Sequence, residues 1–292
     1  MIKMMTDGKK TVALALLDAF ATLKTNDTID TPRLDAEILL CYVLNCERID
    51  LVINKDTVLD ENSVRVFNDY INRRVKNEPI SYITEKKEFM SLNFYVTDGI
   101  LIPRPDTEIL VEEIIKIYKD KDAKILDLCT GSGAIAVSLA HYLNNATLTA
   151  VDKFDICIKT ASKNAIINNV ADRVNVVKKD VLEPFDVDGD FDCIVSNPPY
   201  IKTDVLSTLS KDVKDFEPMY ALDGGNDGLI FYRKITDFAL KKLKSGGILA
   251  FEIGFDQGLE VQNIIKDAHS FKEIKLLKDL ADLDRVIIAE KE

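Results

Sequence analysis

The stretch Val195-Ser196-Asn197-Pro198-Pro199-Tyr200-Ile201 closes an apolar run with residue types that can hold an amino group. Two successive prolines remove two backbone N–H donors and hold φ near −65°, so the chain leaves a sheet here as an extended turn rich in carbonyls. The Asn197 side-chain oxygen and the carbonyls of Asn197 and Pro198 are acceptors with few donors beside them, and Tyr200 adds a flat apolar wall. A planar –NH2 group suits such a loop. Taken alone, a strand end with a tight turn accounts for the Pro198-Pro199 pair about equally well.

A second group of residues points to a nucleoside. In ILDLCTGSGAIAVSLA an apolar strand runs through Cys129 and Thr130 into Gly131, Ser132 and Gly133, then directly into an apolar helix. That is a sharp turn at the carboxyl edge of a sheet, where open α/β proteins bind ligands and where glycine lets the backbone approach them closely. Cys129 stands where the first glycine of a dinucleotide fingerprint would be, which weakens a nicotinamide dehydrogenase reading, and no hydride-transfer acid is evident. About 20 residues on, the next strand ends in Asp152, the spacing at which a carboxylate receives ribose hydroxyls. Asp180 ends the strand after that, where it could accept from an adenine amino group. For any one Asp a helix cap or a solvated loop is the simpler account. The glycine turn and three successive strand ends together favour a nucleoside pocket.

The elements that must position these residues fall into two patterns. Before about residue 120 the chain is helical: TVALALLDAF repeats apolar residues at helical spacing, Thr31 and Pro32 read as the N-cap and first position of a second helix, and Val64, Phe67, Ile71 and Val75 share a helix face. Arg73, Arg74 and Lys76 on that helix read as a solvated face, with a protein contact as the alternative. Residues 78–108 read as a short β-hairpin and linker, closed by Asp106, Thr107 and Glu108 as a capped helix start. From Lys121 onward, seven strand candidates alternate with helices, as in a parallel sheet covered on both faces. The last two candidates lie too close for a parallel crossover and are expected as an antiparallel hairpin at the sheet edge. The expected organisation is therefore a helical domain over 1–80, a hairpin and linker over 81–106, and an α/β domain over 107–292.

Composition excludes several classes. The net charge of −11 argues against nonspecific binding to nucleic acid, which needs clustered Lys and Arg. The five cysteines show no CxxC or Cys/His spacing and read as reduced residues with no metal site. No apolar run reaches the length of a membrane span and the N-terminus lacks a leader-like core, so a cytoplasmic protein, monomeric by default, is expected.

The order DLCTGSG, Asp152, Asp180, NPPY resembles the class I S-adenosylmethionine-dependent methyltransferases. Further, LIPRPDTE (101–108), EPMYALDGGNDGL (217–229) and FEIGFDQG (251–258) resemble the HemK/PrmC family of peptide-chain release factor N5-glutamine methyltransferases, and with RLDAEILL and EPISYI the likeness spans nearly the whole chain. The resemblance implies a Rossmann-like seven-stranded methyltransferase sheet carrying a small helical N-terminal domain that grips the protein substrate. It implies S-adenosylmethionine as cofactor and S-adenosylhomocysteine as product, with Asp127, Cys129, Thr130, Gly131, Ser132, Gly133, Asp152, Asp180, Val181 and Asn197 holding the cofactor. It also implies that Asn197, Pro198, Pro199, Tyr200 and Arg104 bind the glutamine of a release factor's Gly-Gly-Gln loop, with Asn197, Pro198 and Tyr200 serving transfer. Cys129 replaces the usual glycine, expected to be tolerated if that position has negative φ, and Val181 stands where some members carry an aromatic residue. The alternative substrate is an exocyclic amino group of a flipped RNA or DNA base, which would fit the same acceptor loop. A noncatalytic nucleoside-binding protein is disfavoured because the acceptor loop is complete.

Overall fold

A computed structural model of the protein describes residues 9–292, so the first eight residues of the expected helical domain lie outside the described residues. The chain divides into one compact unit ending at Glu85 and a second running from Lys86 to Glu292. The first holds α1 (Val12–Leu23), α2 (Pro32–Leu44), α3 (Arg48–Ile53), α4 (Glu61–Arg74) and the short α5 (Ile80–Ile83). Their apolar stripes converge on a core that includes Leu23, Leu39, Leu40, Phe67 and Ile71, each at most 4% exposed. Thr31 and Pro32 open α2 as the sequence indicates, but the Thr31 hydroxyl donates to Asp35 at 2.7 Å instead of accepting a backbone bond. Asp35 is the reason: it is a buried carboxylate paired with Arg74 at 2.7 Å. Arg74 is therefore a structural cation and not part of a solvated face, and Arg73 is tied to Glu78 at 2.5 Å.

The second unit opens with a hairpin, β1 (Lys86–Phe89) and β2 (Leu92–Tyr95), turned by Met90 and Ser91 with φ of 50° and 57°. Two residues with positive φ match the twist of a tight hairpin, a conformation that side-chain-bearing residues resist. Here it is held from outside. The Met90 N–H donates to Glu108 at 2.7 Å, and its carbonyl accepts from the Tyr142 hydroxyl at 2.7 Å. Phe89 and Phe94 of the expected hairpin are buried in the core of this unit.

The remaining elements are α6 (Thr107–Tyr118), β3 (Ala123–Leu128), α7 (Ala134–Tyr142), β4 (Ala146–Asp152), α8 (Asp155–Ile167), β5 (Val174–Lys178), β6 (Phe191–Ser196), α9 (Lys211–Phe216), α10 (Ile230–Lys242), β7 (Leu243–Glu252), α11 (Gly258–Asp267), β8 (Phe271–Lys278) and β9 (Asp284–Lys291). The seven-stranded sheet has the order β5-β4-β3-β6-β7-β9-β8. Strands β3 to β7 are parallel, and β9 runs antiparallel to both β7 and β8. The closing hairpin is as expected but enters the sheet by its second strand. Val286 and Ile287 of β9 are fully buried, whereas β8 carries Lys272, Glu273 and Lys275, charges suited to an edge.

Alternation along the strands divides the core into two layers. Ile125, Cys193, Val195 and Ala250 face α6, α7 and the hairpin, and Leu126, Ile194, Leu249 and Phe251 face α10 and α11. Burial on both faces explains why these strands read as continuous apolar runs. The register pairs Leu128 with both Val151 and Ser196, so β3, β4 and β6 end together at one edge. Chain order reverses between β3 and β6, which opens a crevice at that edge. Among the described residues no helix is long and apolar enough to cross a membrane.

Phe67, 1% exposed, is a keystone of the first unit's core. Phe67→Ala is expected to cost about 3–5 kcal/mol of that unit's stability, read by chemical denaturation; a loss below about 1 kcal/mol would contradict this packing.

Candidate functional site

The crevice is a cavity of about 370 Å³, within the range of small-molecule sites. Cys129, Thr130, Gly131 and Ser132 line it from the turn after β3, Asp152, Lys153 and Phe154 from the end of β4, Asp180 and Val181 from the turn after β5, and Asn197 and Pro199 from the end of β6. Arg104 and Thr107 line it from the start of α6. Ten of the residues singled out in the sequence thus meet at one cavity: Arg104, Cys129, Thr130, Gly131, Ser132, Asp152, Asp180, Val181, Asn197 and Pro199. Asp127 and Gly133 of the turn after β3, and Pro198 and Tyr200 of the loop after β6, adjoin these residues in the chain without being in the lining themselves.

Asp127 works from below. Its Oδ2 accepts from the Thr130 hydroxyl at 2.5 Å and from the Ala136 N–H at 3.2 Å, so one carboxylate fixes both the turn and the first turn of α7. Its Oδ1 is buried without a partner, and burial pushes its pKa up to about 7. Gly133 has φ of 81°, and a Cβ there would come within 3.0 Å of Ala161 on α8. It is a packing glycine.

Asp152 accepts from the Gly131 N–H at 2.9 Å and the Phe154 N–H at 3.1 Å, which ties the glycine turn to the end of β4. Burial raises its pKa against these bonds. Asp180 lies two residues beyond β5, not at the strand end, because the ladder stops at Lys178. One of its oxygens accepts from the Leu182 N–H at 3.0 Å and the other pairs with Lys153 at 2.8 Å. Burial opposes ionisation of Asp180, but Lys153 and the Leu182 N–H outweigh it and hold the carboxyl below its usual range.

The condition under which Cys129 was expected to replace the usual glycine without strain is not met. The φ of Cys129 is +62°, the left-handed region that the glycine of related turns would occupy without strain. The turn overrules the residue's preference. Burial and the neighbouring carboxylates push its thiol well above the ordinary range, so it is not a nucleophile at neutral pH.

The loop after β6 is pinned from three sides. Ile201 and the 222–224 stretch exchange two backbone bonds of 2.9 and 2.8 Å, and the Tyr200 carbonyl accepts from Gln257 Nε2 at 2.9 Å. Gly224 passes so close that a Cβ there would sit 2.7 Å from the Tyr200 Cα. Asn197 donates through Nδ2 to the Thr107 hydroxyl oxygen at 3.1 Å. Tyr200 is half-buried and packs on the core layer of α10 and α11.

Several residues of the site were not assigned from sequence. Phe154 and Tyr220 stack at 3.7 Å between ring centres and together wall the cavity. Glu217 pairs with Arg104 at 2.5 Å, and its second carboxyl oxygen is buried without a partner. Glu252, at the end of β7, is 1% exposed and pushed by burial to a pKa of about 7, with the neighbouring Thr107 and Asn197 side chains acting in the opposite direction. One signal was available: a single Glu closing the apolar run Ile248-Leu249-Ala250-Phe251 must be buried if the strand is.

A glycine turn, a carboxylate at the next strand end and a sheet with β9 inserted antiparallel define a methyltransferase domain. A solved methyltransferase from Pyrococcus furiosus shares this fold at a TM-score of 0.52 and 22% identity, covering 77% of this chain and 98% of that one. The family model described as the methyltransferase small domain matches residues 105–212, and that of the PrmC N-terminal domain matches residues 15–84. The release factor glutamine methyltransferase of Clostridium acetobutylicum is 47% identical over 94% of this chain and 96% of its own length, and that of Clostridium botulinum is 43% identical over 94% and 98%. The chain belongs to the release factor glutamine methyltransferase family.

Because Asp127 binds its proton more tightly when folded, its contribution to stability is fully present below the unfolded value near 4 and is lost as pH rises through about 7. Relative to D127N, the wild type should lose stability over that interval with a slope of up to about 1.4 kcal/mol per pH unit, measured by urea denaturation. Parallel pH curves for the two proteins would contradict the assignment.

Proposed function

We propose that this protein transfers a methyl group from S-adenosylmethionine to the side-chain amide nitrogen of a glutamine in the Gly-Gly-Gln loop of a peptide-chain release factor. The carrying observation is the orientation of Asn197. Its Nδ2 is committed to Thr107, which leaves Oδ1 as an acceptor at the cavity wall beside two prolines that offer no N–H. Both Clostridium relatives are named release factor glutamine methyltransferase and match over nearly their full length, which supports the reading.

The residues present fit the cofactor. Asp152 keeps lone pairs for ribose hydroxyls beyond the two backbone bonds it accepts, the glycine turn leaves open space above Gly131, and Val181 with the Asp180 carboxylate suits an adenine ring and its amino group. Bound there, S-adenosylmethionine supplies an electrophilic methyl group whose bond to sulfur breaks as the bond to nitrogen forms, leaving S-adenosylhomocysteine. The protein must align a poor nucleophile, because an amide lone pair is delocalised into its carbonyl. Asn197 Oδ1 and the Pro198 carbonyl each accept one N–H of the glutamine and hold its nitrogen in place, and such alignment supplies most of the rate. The same acceptors favour positive charge developing on nitrogen. Pro199 and Tyr200 flank the glutamine side chain, and Arg104, fixed by Glu217, borders the substrate entrance. The N-alkylated, protonated amide is acidic and gives its proton to water, consistent with a cavity lining that includes no histidine.

Radiolabelled methyl transfer to purified release factor tests this, beside a factor with the loop glutamine changed to alanine and beside cellular RNA and DNA. Label on the unmodified factor alone is expected, and label on nucleic acid with the factor untouched would overturn the assignment. Asn197→Ala should lower turnover at least about 100-fold while cofactor binding, read by calorimetry, is largely retained; full activity in that variant would contradict the role of Asn197.

A further inference from the structure

We infer that Glu252 and Thr107 are positioning residues that set which way the Asn197 carboxamide faces, so that its oxygen and not its nitrogen meets the substrate. The inference rests on the proposed role of Asn197 and adds the cause of that residue's orientation.

An asparagine side chain is nearly symmetric in shape, and its two ends differ only in donating or accepting. Presented the wrong way round, its NH2 would face the NH2 of the substrate and repel it. Something must therefore distinguish the ends. The Asn197 Nδ2 lies 3.1 Å from the Thr107 hydroxyl oxygen, and both side chains neighbour the Glu252 carboxyl closely enough to favour its ionisation. An ionised carboxylate can only accept. Thr107 has one proton, and spending it on Glu252 leaves its oxygen as an acceptor for Asn197. Both N–H groups of Asn197 are then drawn inward, towards Thr107 and Glu252, and Oδ1 is turned outward. A neutral amide at position 252 breaks this logic, because it can donate to Thr107 and free the hydroxyl proton to hold Asn197 by its oxygen.

The fold commits an unusual residue to this task. Glu252 is 1% exposed, one of its oxygens lacks any partner, and its position on β7 lies beside the end of β6, where Phe251 pairs with Ser196. A buried carboxyl is costly, and nothing in the strand ladder needs one. Its charged and titratable surroundings come from every adjoining element: Arg285 on β9, Asp106 before α6, Tyr200 after β6, and Tyr232 on α10, whose hydroxyl donates to the Glu252 backbone carbonyl at 3.1 Å. Arg285 is itself engaged by Asp279 at 2.9 Å and Asp106 at 3.5 Å, so it favours the anion without neutralising it outright. Burial still lifts the Glu252 pKa to about 7. Protonation adds a donor where only an acceptor serves, so turnover should rise with pH through that value.

The test compares wild type, E252Q, T107V, T107S and N197A of the full chain, with release factor as substrate, saturating S-adenosylmethionine and pH 6 to 9. E252Q and T107V should each lose about 100-fold in kcat with the KM for cofactor little changed, and T107S should recover most of what T107V loses. The wild-type rise in kcat near neutral pH should vanish in E252Q. The side-chain amide resonances of Asn197, identified by their absence from N197A in 15N spectra of the ligand-free protein, should move in E252Q. Wild-type kcat with the wild-type pH profile in E252Q, or equal impairment of T107S and T107V, would overturn the inference. Should E252Q melt early, T107V, matched to threonine in size, and T107S, which keeps the hydroxyl, decide alone. Activity retained in N197A would instead refute the underlying role of Asn197, and N197A inactive beside a fully active E252Q would refute only the positioning claim.

Discussion

Two adjacent residues without N–H groups, placed at the buried end of a central strand, are the constraint from which the rest of the site follows. A strand that ends in Pro198 and Pro199 cannot continue its ladder, so its last carbonyls project beyond the sheet. For those carbonyls to form a recognition surface, the loop must not move. Gln257 holds the Tyr200 carbonyl, the 222–224 stretch is bonded to Ile201, and Gly224 lets that stretch lie against the Tyr200 backbone. The register that ends β3, β4 and β6 together sets the loop beside the glycine turn and Asp152. Fold and site are thus one geometric statement: a switch in strand order opens the crevice, and its two sides receive a donor-poor loop and a carboxylate-rich turn.

The carboxylates around this crevice share an electrostatic purpose. Asp127 and Asp152 are buried with raised pKa values, chiefly through burial, and the Asp152 carboxylate adds to the cost of ionising Asp127. With Asp152 in the cavity lining and Asp127 beside it, the negative potential there favours a positively charged ligand, whose charge and the carboxylates' ionisation would favour each other. Asp180 stands apart because Lys153 already neutralises it. Its pairing with a lysine on the neighbouring turn keeps the pocket's far end polar without adding to the buried charge.

Much of this was legible in the sequence because it depends on local chemistry. Pro198-Pro199 after an apolar run, glycines between a strand and a helix, and Asp152 at a strand end announce themselves through backbone rules. The seven strands and the closing hairpin were legible for the same reason. What escaped was set by distant contacts. Thr107 reads as part of a helix cap until Asn197, ninety positions on, is seen to donate to it. Arg74 reads as a surface charge until Asp35, thirty-nine positions earlier, is found buried beside it. Cys129 was expected to be tolerated only at negative φ, and whether the turn allows that is not written in the local sequence. The turn between β3 and α7, fixed by Asp127 and Asp152 through its neighbours, imposes +62° regardless. The insertion of β9 inside β8 turns on which strand is more apolar, a comparison the hairpin signal does not contain.

The central claim is that the site recognises an amide nitrogen through acceptors alone. The most direct measurement is the affinity of the protein, with S-adenosylhomocysteine present, for a release factor carrying its loop glutamine and for the same factor carrying glutamate there. A carboxylate has no N–H to give and would face carbonyl oxygens, so the glutamate form should bind at least about tenfold more weakly. Equal or tighter binding of the glutamate form would mean that the loop after β6 presents a donor, and the account of Asn197 and Pro198 would fail.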